Sequence, residues 1–130
     1  MSWIVDFLVA RKNKTAFVLI DGRNGADKLR QDLIDAGFPK VAVKVADTSE
    51  AVDSTSLLKD LNTEKHLFHC PSEVLDNSAV TAQKRLIGNS GGYGYSDGLG
   101  DSTPLSAAAL ATYAAYTTKR NPNRKQKLIR

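Results

Sequence analysis

Short apolar runs alternate with longer stretches of helical periodicity along the first half of the chain. Three such runs cover residues 15–20, 41–45 and 66–69, and Asp21-Gly22 closes the first of them. The continuous apolarity of the first run is typical of a strand that is buried on both faces of a sheet. The sequence therefore predicts three strands.

The stretches around these runs carry the signals of helices. Residues 2–12 form an amphipathic stripe, Asn24 is a candidate N-cap for a second helix, and Asp47 or Thr48 is a candidate N-cap for a third. Strands that are joined by helical crossovers of this length run parallel, with right-handed connections. We therefore expect the α/β class, in the form of a small parallel sheet with flanking helices.

The second half of the chain has a weaker pattern. Residues 71–86 are predicted to form a helix, and an alanine-rich helix is predicted over residues 104–118, with Pro104 in its favoured first turn. Between them, residues 88–100 contain six of the nine glycines in the sequence. Such a density of glycine predicts a loop.

Composition limits the class of protein. The 130 residues are enough for one compact core, and no apolar stretch approaches the length of about 20 residues that a membrane-spanning helix needs. Cys70 is the only cysteine, so no intrachain disulfide can form. We therefore expect a cytoplasmic protein that does not associate with membranes.

Positive charge is concentrated at the end of the chain. Residues 119–130 carry six of the 18 basic residues and no acid, which leaves 12 basic against 14 acidic residues in residues 1–118. We therefore divide the chain into a mildly acidic domain, residues 1–118, and a basic tail, residues 119–130. Such a tail suits a polyanion such as nucleic acid, although a solubilising terminus explains it equally well.

Two aspartates are the best candidates for chemistry. Asp21 follows the first predicted strand, and ligands bind beyond the carboxyl ends of parallel strands. Asp101 stands just before the last helix, and Asp97, in the glycine-rich segment, is a third candidate. Carboxylates are the ligands that Mg²⁺ or Mn²⁺ takes from proteins that cleave phosphodiesters. A turn after a strand and a helix start explain Asp21 and Asp101 structurally with equal weight.

Weaker motifs are better explained by structure. Residues 21–25 precede a helix and are suited to holding a phosphate on backbone N–H groups, but a turn followed by a cap explains them more simply. His66 and His69 would point to opposite faces of a strand, which prevents them from sharing a metal with Cys70.

Three segments together resemble a known family. They are FVLIDGRNGADKLRQDL, which contains Asp21, GDSTPLSAAALATYAA, which contains Asp101, and TTKRNP, which leads into the basic tail. With the Arg85-Leu86-Ile87-Gly88 run between them, they resemble the C-terminal nuclease domain of phage large terminase subunits. The resemblance covers most of the chain, in order, and is most specific in its last third.

The resemblance implies a partial ribonuclease H-like fold. In that fold one catalytic Asp lies on the first strand, a second acid ends the fourth strand and a third begins a late helix. Asp21 matches the second acid and Asp101 the third. The resemblance begins at the helix before the fourth strand, so the truncated domain lacks the first three strands and the first Asp. Asp6, the acid upstream of Asp21, lies on a predicted helix.

Two functions remain as hypotheses. In the first, the chain is the C-terminal part of a phage or prophage DNA-packaging terminase nuclease, which cleaves DNA with a metal ion in the complete domain and is weakly active or inactive as this fragment. The rest of the terminase, namely its ATPase part, small subunit and portal, would then be its partners. The alternative is a non-catalytic nucleic-acid-binding or interaction module with a vestigial metal site.

Double-stranded DNA is the expected partner. A homodimer is also expected, because the missing strands would leave the edge of the strand at residues 15–20 bare. The catalytic and metal-binding residues are predicted to be Asp21 and Asp101. The residues predicted to contact nucleic acid are Arg23, Lys119, Arg120, Arg124 and Lys125.

Overall fold

The computed structural model describes residues 2–123. Within that range, five α-helices and four strands build a small α/β protein, which confirms the general α/β class. None of these helices is both long and apolar enough to cross a membrane. In chain order the elements are α1 (Ser2–Val9), β1 (Val18–Ile20), α2 (Ala26–Asp35), β2 (Val43–Val45), α3 (Thr48–Thr63), α4 (Glu73–Thr81), β3 (Gln83–Ile87), β4 (Gly92–Ser96) and α5 (Thr103–Thr117).

β1 and β2 pair in parallel, as predicted, with α2 as the crossover between them. The register sets Ile20 opposite Val45, the last residue of each strand. Both strands are shorter than the apolar runs that predicted them. A single turn of 3-10 helix, Lys12–Lys14, ends directly before the first run, and another, Lys40–Ala42, takes up the beginning of the second.

The third predicted strand, residues 66–69, is wrong. α3 ends in a Schellman motif, in which the N–H of His66 donates to the carbonyl of Leu61 at 2.9 Å and Lys65 takes a positive φ of 59°. The residues that follow are neither helix nor strand, and the side chain of Phe68 is exposed. The described chain therefore has a two-stranded parallel sheet in place of the predicted three-stranded one.

An antiparallel hairpin replaces the rest of the predicted helix and loop. The helix predicted over residues 71–86 is wrong beyond Thr81, where α4 ends, and the loop predicted over residues 88–100 contains β4. Gly88 and Gly91, at positive φ values of 66° and 81°, turn the chain between β3 and β4. The second sheet is therefore a separate two-stranded unit.

The main core lies between α1, α2 and the parallel pair. Leu33 of α2 is fully buried, and Phe38 and Val43 are nearly so. Because Phe38 follows α2 and Val43 begins β2, this cluster fixes the crossover against the sheet. The partly buried side chains that pack around it are Val5, Leu8, Val18, Ile20 and Leu29.

A second packed layer joins α3 to α5, the helix predicted over residues 104–118 and confirmed at Thr103–Thr117. Leu58 and Leu61 are the buried leucines of α3, and Leu110 is buried in α5 together with two alanines. Small side chains permit helices to approach closely. This layer supports the hairpin, because the Thr55 hydroxyl of α3 lies 2.7 Å from the Tyr93 carbonyl of β4.

The end of the described chain contacts the segment that precedes β1. Among the described residues β1 pairs with β2 alone. Just before the strand, Arg120 Nη1 donates to the carbonyls of Thr15 and Ala16, at 3.2 and 2.8 Å. Trp3 and Phe7 of α1 are left as large exposed apolar side chains. The expected homodimer stays a prediction.

Replacing Leu33 by Ala should destabilise the protein by about 2–5 kcal/mol, because it removes a fully buried side chain from the core and leaves a cavity. Leu99→Ala is the matched control, since Leu99 is fully exposed and its loss should change stability by less than about 0.5 kcal/mol. Urea unfolding measures both. Equal losses in the two variants would show that α2 does not hold the core described above.

Candidate metal and nucleic-acid site

The carboxyl ends of β1 and β2 lie at the same edge of the parallel sheet. The backbone ladder continues past the strands, since the N–H of Ala46 donates to the carbonyl of Ile20 at 2.8 Å. Asp21 follows Ile20, and Asp47 follows Ala46 as the N-cap of α3. Two aspartates that are far apart in sequence are thus set at neighbouring strand ends.

The turn between β1 and α2 brings the side chain of Arg23 into contact with that of Asp21. Gly22 is needed here, because a Cβ atom at this position would stand 2.9 Å from the carbonyl oxygen of Ala46. The N–H of Arg23 donates to the Asp21 carbonyl at 2.8 Å, and Arg23 Nε lies 3.1 Å from Asp21 Oδ2. Gly25, at φ 86°, is the N-cap of α2, so the predicted cap by Asn24 is wrong.

The hairpin presents two different faces. Arg85 lies opposite Gly94 and Lys84 opposite Tyr95 in the antiparallel register. Because side chains alternate along a strand, Arg85 and Ile87 lie on one face, while Lys84 lies on the other. Lys84 Nζ stands 4.6 Å from the centre of the Tyr93 ring, which confirms its direction.

Asp97 follows β4 and is held by the start of α5. Its Oδ1 accepts hydrogen bonds from the backbone N–H and the hydroxyl of Ser102, both at 2.8 Å. These two bonds, with a smaller contribution from the Arg23 charge, lower the pKa of Asp97 below its ordinary value. The carboxylate is therefore ionised at neutral pH.

These elements enclose a cleft of about 570 Å³ at the carboxyl end of the parallel pair. The β1–α2 turn and the start of α3 form one wall, and the hairpin forms the other. The charged residues that line it are Asp21, Arg23, Asp47, Arg85 and Asp97. The cleft therefore sets carboxylates suited to a cation beside guanidinium groups suited to a phosphate.

The two predicted metal-binding aspartates have different surroundings. Asp21 lines the cleft, whereas Asp101 lies at the beginning of α5, where its Oδ1 accepts a hydrogen bond from the N–H of Thr103 at 2.9 Å. The cleft is also lined by Asp47 and by Asp97, and Asp97 is the third candidate from the sequence. Within residues 2–123, no group of three or more His, Cys, Asp or Glu side chains is arranged to hold a metal ion.

The predicted nucleic-acid contacts are spread over the chain. Arg23 lines the cleft, Lys119 is exposed after α5, and Arg120 uses its guanidinium on the two carbonyls before β1. Arg124 and Lys125 lie outside the described residues. Of the three candidates that fall within residues 2–123, Arg23 alone lines the same cleft as Asp21.

Arg85 is the residue that sequence reasoning missed. It was assigned to the end of a predicted helix, where an exposed arginine carries no functional signal. The available signal was the period-two pattern of Gly92-Tyr93-Gly94-Tyr95, because alternation of this kind indicates a strand and two strands near one turn indicate a hairpin. Recognising it would have placed Arg85 on a sheet.

The two histidines lie beside different acidic side chains. His66 Nδ1 lies 3.5 Å from a Glu64 carboxylate, and His69 Nε2 lies 4.0 Å from Asp76. His69 Nδ1 also lies 2.7 Å from the carbonyl of Cys70. The two imidazoles thus face different carboxylates. The reason given from the sequence, that they lie on opposite faces of a strand, does not apply, because residues 66–69 do not form a strand.

Comparison with known proteins identifies no relative. The chain matches no protein-family model, no curated protein and no solved structure. The resemblance to the terminase nuclease domain therefore rests on the segments around Asp21, Asp101 and Lys119, and its consequences for this chain are proposals.

Asp97→Asn should be less stable than the wild type at pH 7, and the gap should close in acid. Because the pKa of Asp97 is lowered in the folded state, its stabilising effect is complete above the ordinary Asp value of about 3.9 and is lost as the pH falls through the lower folded value. Urea unfolding at pH 7 and at pH 2.5 measures the gap. Asp60→Asn, an exposed acid of α3, is the control and should show no such change. A gap that persists in acid would contradict the assigned role of the charge.

Proposed function

We propose that this chain binds a divalent cation and double-stranded DNA as the C-terminal part of a phage or prophage DNA-packaging terminase nuclease. The observation that carries the proposal is the cleft beyond β1, in which Asp21 and Asp97 lie beside Arg23 and Arg85. Carboxylates that hold a cation next to guanidinium groups that neutralise a phosphate are the combination that phosphodiester cleavage uses. The choice of the terminase family rests on the sequence resemblance to its nuclease domain.

The donor set fits Mg²⁺ or Mn²⁺. These cations take oxygen ligands, and Mg²⁺ keeps waters and phosphate oxygens beside one or two protein carboxylates. Asp21 would be the principal ligand, with Asp97 as its neighbour in the cleft, and with Asp101 as the partner that the ribonuclease H-like resemblance implies. A bound cation stabilises negative charge on a phosphate and lowers the pKa of its water.

Cleavage is proposed for the complete nuclease rather than for this chain alone. Two-metal cleavage commonly uses three or four acids, and the first Asp of the ribonuclease H-like arrangement has no counterpart here. Asp6, the acid upstream of Asp21, lies on α1. This chain is therefore proposed to retain cation and DNA binding and to be weakly active or inactive by itself.

Positive charge at the end of the chain supports the DNA part of the proposal. Lys119 is exposed beyond α5, and the remaining basic residues of the tail follow it in sequence, without an intervening acid. Contacts of this kind release counterions from DNA, so the binding should weaken steeply with salt and should not depend on the base sequence. They hold the duplex while the cleft engages its backbone.

One observation favours the alternative function, a non-catalytic nucleic-acid-binding module. The Arg23 guanidinium already neutralises Asp21, at 3.1 Å, with both side chains about half exposed. A cation must displace this ion pair to reach the carboxylate. If the Arg23–Asp21 ion pair is more stable than the complex of Asp21 with a cation, the site is vestigial and the chain binds DNA through its basic residues alone.

A measurement of cation binding distinguishes the metal-dependent function from the non-catalytic one. Mn²⁺ or Mg²⁺ at ten times its dissociation constant should stabilise the native state by about 1.4 kcal/mol, because only the folded chain forms the site. For a domain of this size that raises the thermal midpoint by a few °C. Asp21→Asn should abolish the rise, which differential scanning fluorimetry measures.

Asp97→Asn and Asp101→Asn identify the partner of Asp21 in the same assay, and Asp60→Asn serves as the matched control. The proposal predicts that Asp60→Asn keeps the full rise. A wild type whose midpoint does not respond to either cation, or a rise that survives Asp21→Asn, would contradict the metal-dependent function and favour the non-catalytic module.

A further inference from the structure

Arg85 is the one arginine of the cleft that has no hydrogen-bond or ion-pair partner among the described residues. Arg23, on the opposite wall, is paired with Asp21. Both arginines also line a smaller cavity of about 30 Å³, which shares Asp21, Ala51 and Ile87 with the cleft and is therefore continuous with it. An unpaired guanidinium in a concave site is a ready anion ligand.

Gly94 makes room for the Arg85 side chain. A Cβ atom on Gly94 would lie 3.4 Å from Arg85 Nη2 and 2.9 Å from Ile87 Cδ1. The guanidinium group thus lies across the bare backbone of the neighbouring strand, next to the Ile87 side chain. This packing directs it along the hairpin face that lines the cleft.

The sign of the charge in the cleft depends on a cation. The lining carries three carboxylates and two guanidinium groups, a formal charge of −1, so an anion is not favoured there as the cleft stands. One divalent cation changes the formal charge to +1. Binding of the cation to Asp21 would also release the guanidinium of Arg23 from its ion pair.

From this arrangement we propose that Arg85 and Arg23 form a subsite for one phosphate group of a DNA backbone, and that the subsite binds phosphate only after a divalent cation has bound in the cleft. The inference rests on the proposed function, because it assumes that the cleft takes a cation. Arg85, which is exposed and has no competing ion pair among the described residues, would contact the phosphate first, and Arg23 would join it on leaving Asp21. The planar fork of arginine suits two oxygens of one phosphate group.

Lys84 provides a matched control on the same strand. It is the neighbour of Arg85 and carries the same charge, but it lies over the Tyr93 ring on the opposite face of the hairpin. A general electrostatic attraction between the hairpin and DNA would use both residues equally. A subsite in the cleft uses Arg85 alone.

The test is the affinity of the full chain for a short DNA duplex at fixed ionic strength, with and without Mn²⁺. We expect Mn²⁺ to tighten binding by the wild type and by Lys84→Ala. Arg85→Ala should lose this gain and bind the duplex at least about tenfold more weakly in Mn²⁺. Arg85→Lys should recover only part of the loss, since it keeps the charge but not the fork. Unchanged thermal midpoints confirm that the variants fold.

A second measurement observes the residue directly. For this measurement Mg²⁺ replaces Mn²⁺ at the same concentration. The Nε–H signal of Arg85 in a ¹H–¹⁵N spectrum should shift when inorganic phosphate is added in the presence of Mg²⁺, and should not shift when Mg²⁺ is left out. The Nε–H signal of Arg11, whose guanidinium stacks 3.6 Å from the Phe7 ring, is the internal reference.

The outcomes separate this inference from the proposed function. Equal losses for Arg85→Ala and Lys84→Ala, or an Arg85 signal that does not respond to phosphate, would overturn the subsite while the Asp21-dependent cation shift still supports the proposed function. An Arg85 signal that moves with phosphate equally well without a cation would overturn the cation requirement. If the wild type shows no cation shift at all, the proposed function fails, and the subsite fails with it.

Discussion

The parallel pairing of β1 with β2 is the interaction on which the rest of the structure depends. It ends in the hydrogen bond from the Ala46 N–H to the Ile20 carbonyl, at 2.8 Å, and this bond sets the two strand ends side by side. Gly22 is accommodated there only because it lacks a Cβ atom. The core around Leu33 holds the pair together from one face. Without this pairing Asp21 would have no fixed neighbour.

The hairpin supplies the other half of the cleft and shows how a small chain builds two different surfaces from one strand pair. Glycine and tyrosine alternate along β4, so one face of this strand carries no side chains and the other is aromatic. A Cβ atom on Gly92 would stand 2.6 Å from Val52 Cγ1, which explains how closely the hairpin approaches α3. The Arg85 side chain lies across the glycine face, while Lys84 lies on the aromatic face.

The parts of the fold that follow from local signals could be predicted from the sequence. The two apolar strand segments, the N-cap of α3 at Asp47 and the alanine-rich α5 all depend on residues close together in the chain, and Asp21 is a candidate because it directly follows β1. The hairpin is not among the predicted elements, although the alternation of glycine and tyrosine in β4 is a local signal, because the density of glycine in residues 88–100 predicts a loop. Its position against α3 depends on a distant contact, the one between Thr55 and Tyr93. Arg85 was missed with the hairpin, and Asp97 was ranked below Asp101.

The central claim is that Asp21 and Asp97 share a cleft that holds a divalent cation. Paramagnetic broadening by substoichiometric Mn²⁺ in ¹H–¹⁵N spectra tests it most directly, since it reports which backbone amides lie near the ion. The account predicts that signals of Gly22, Asp97 and Ser102 broaden first, and that those of the Tyr93 face of the hairpin and of α1 stay sharp. Broadening that is uniform over the chain, or centred on the His66 to His69 segment, would contradict it.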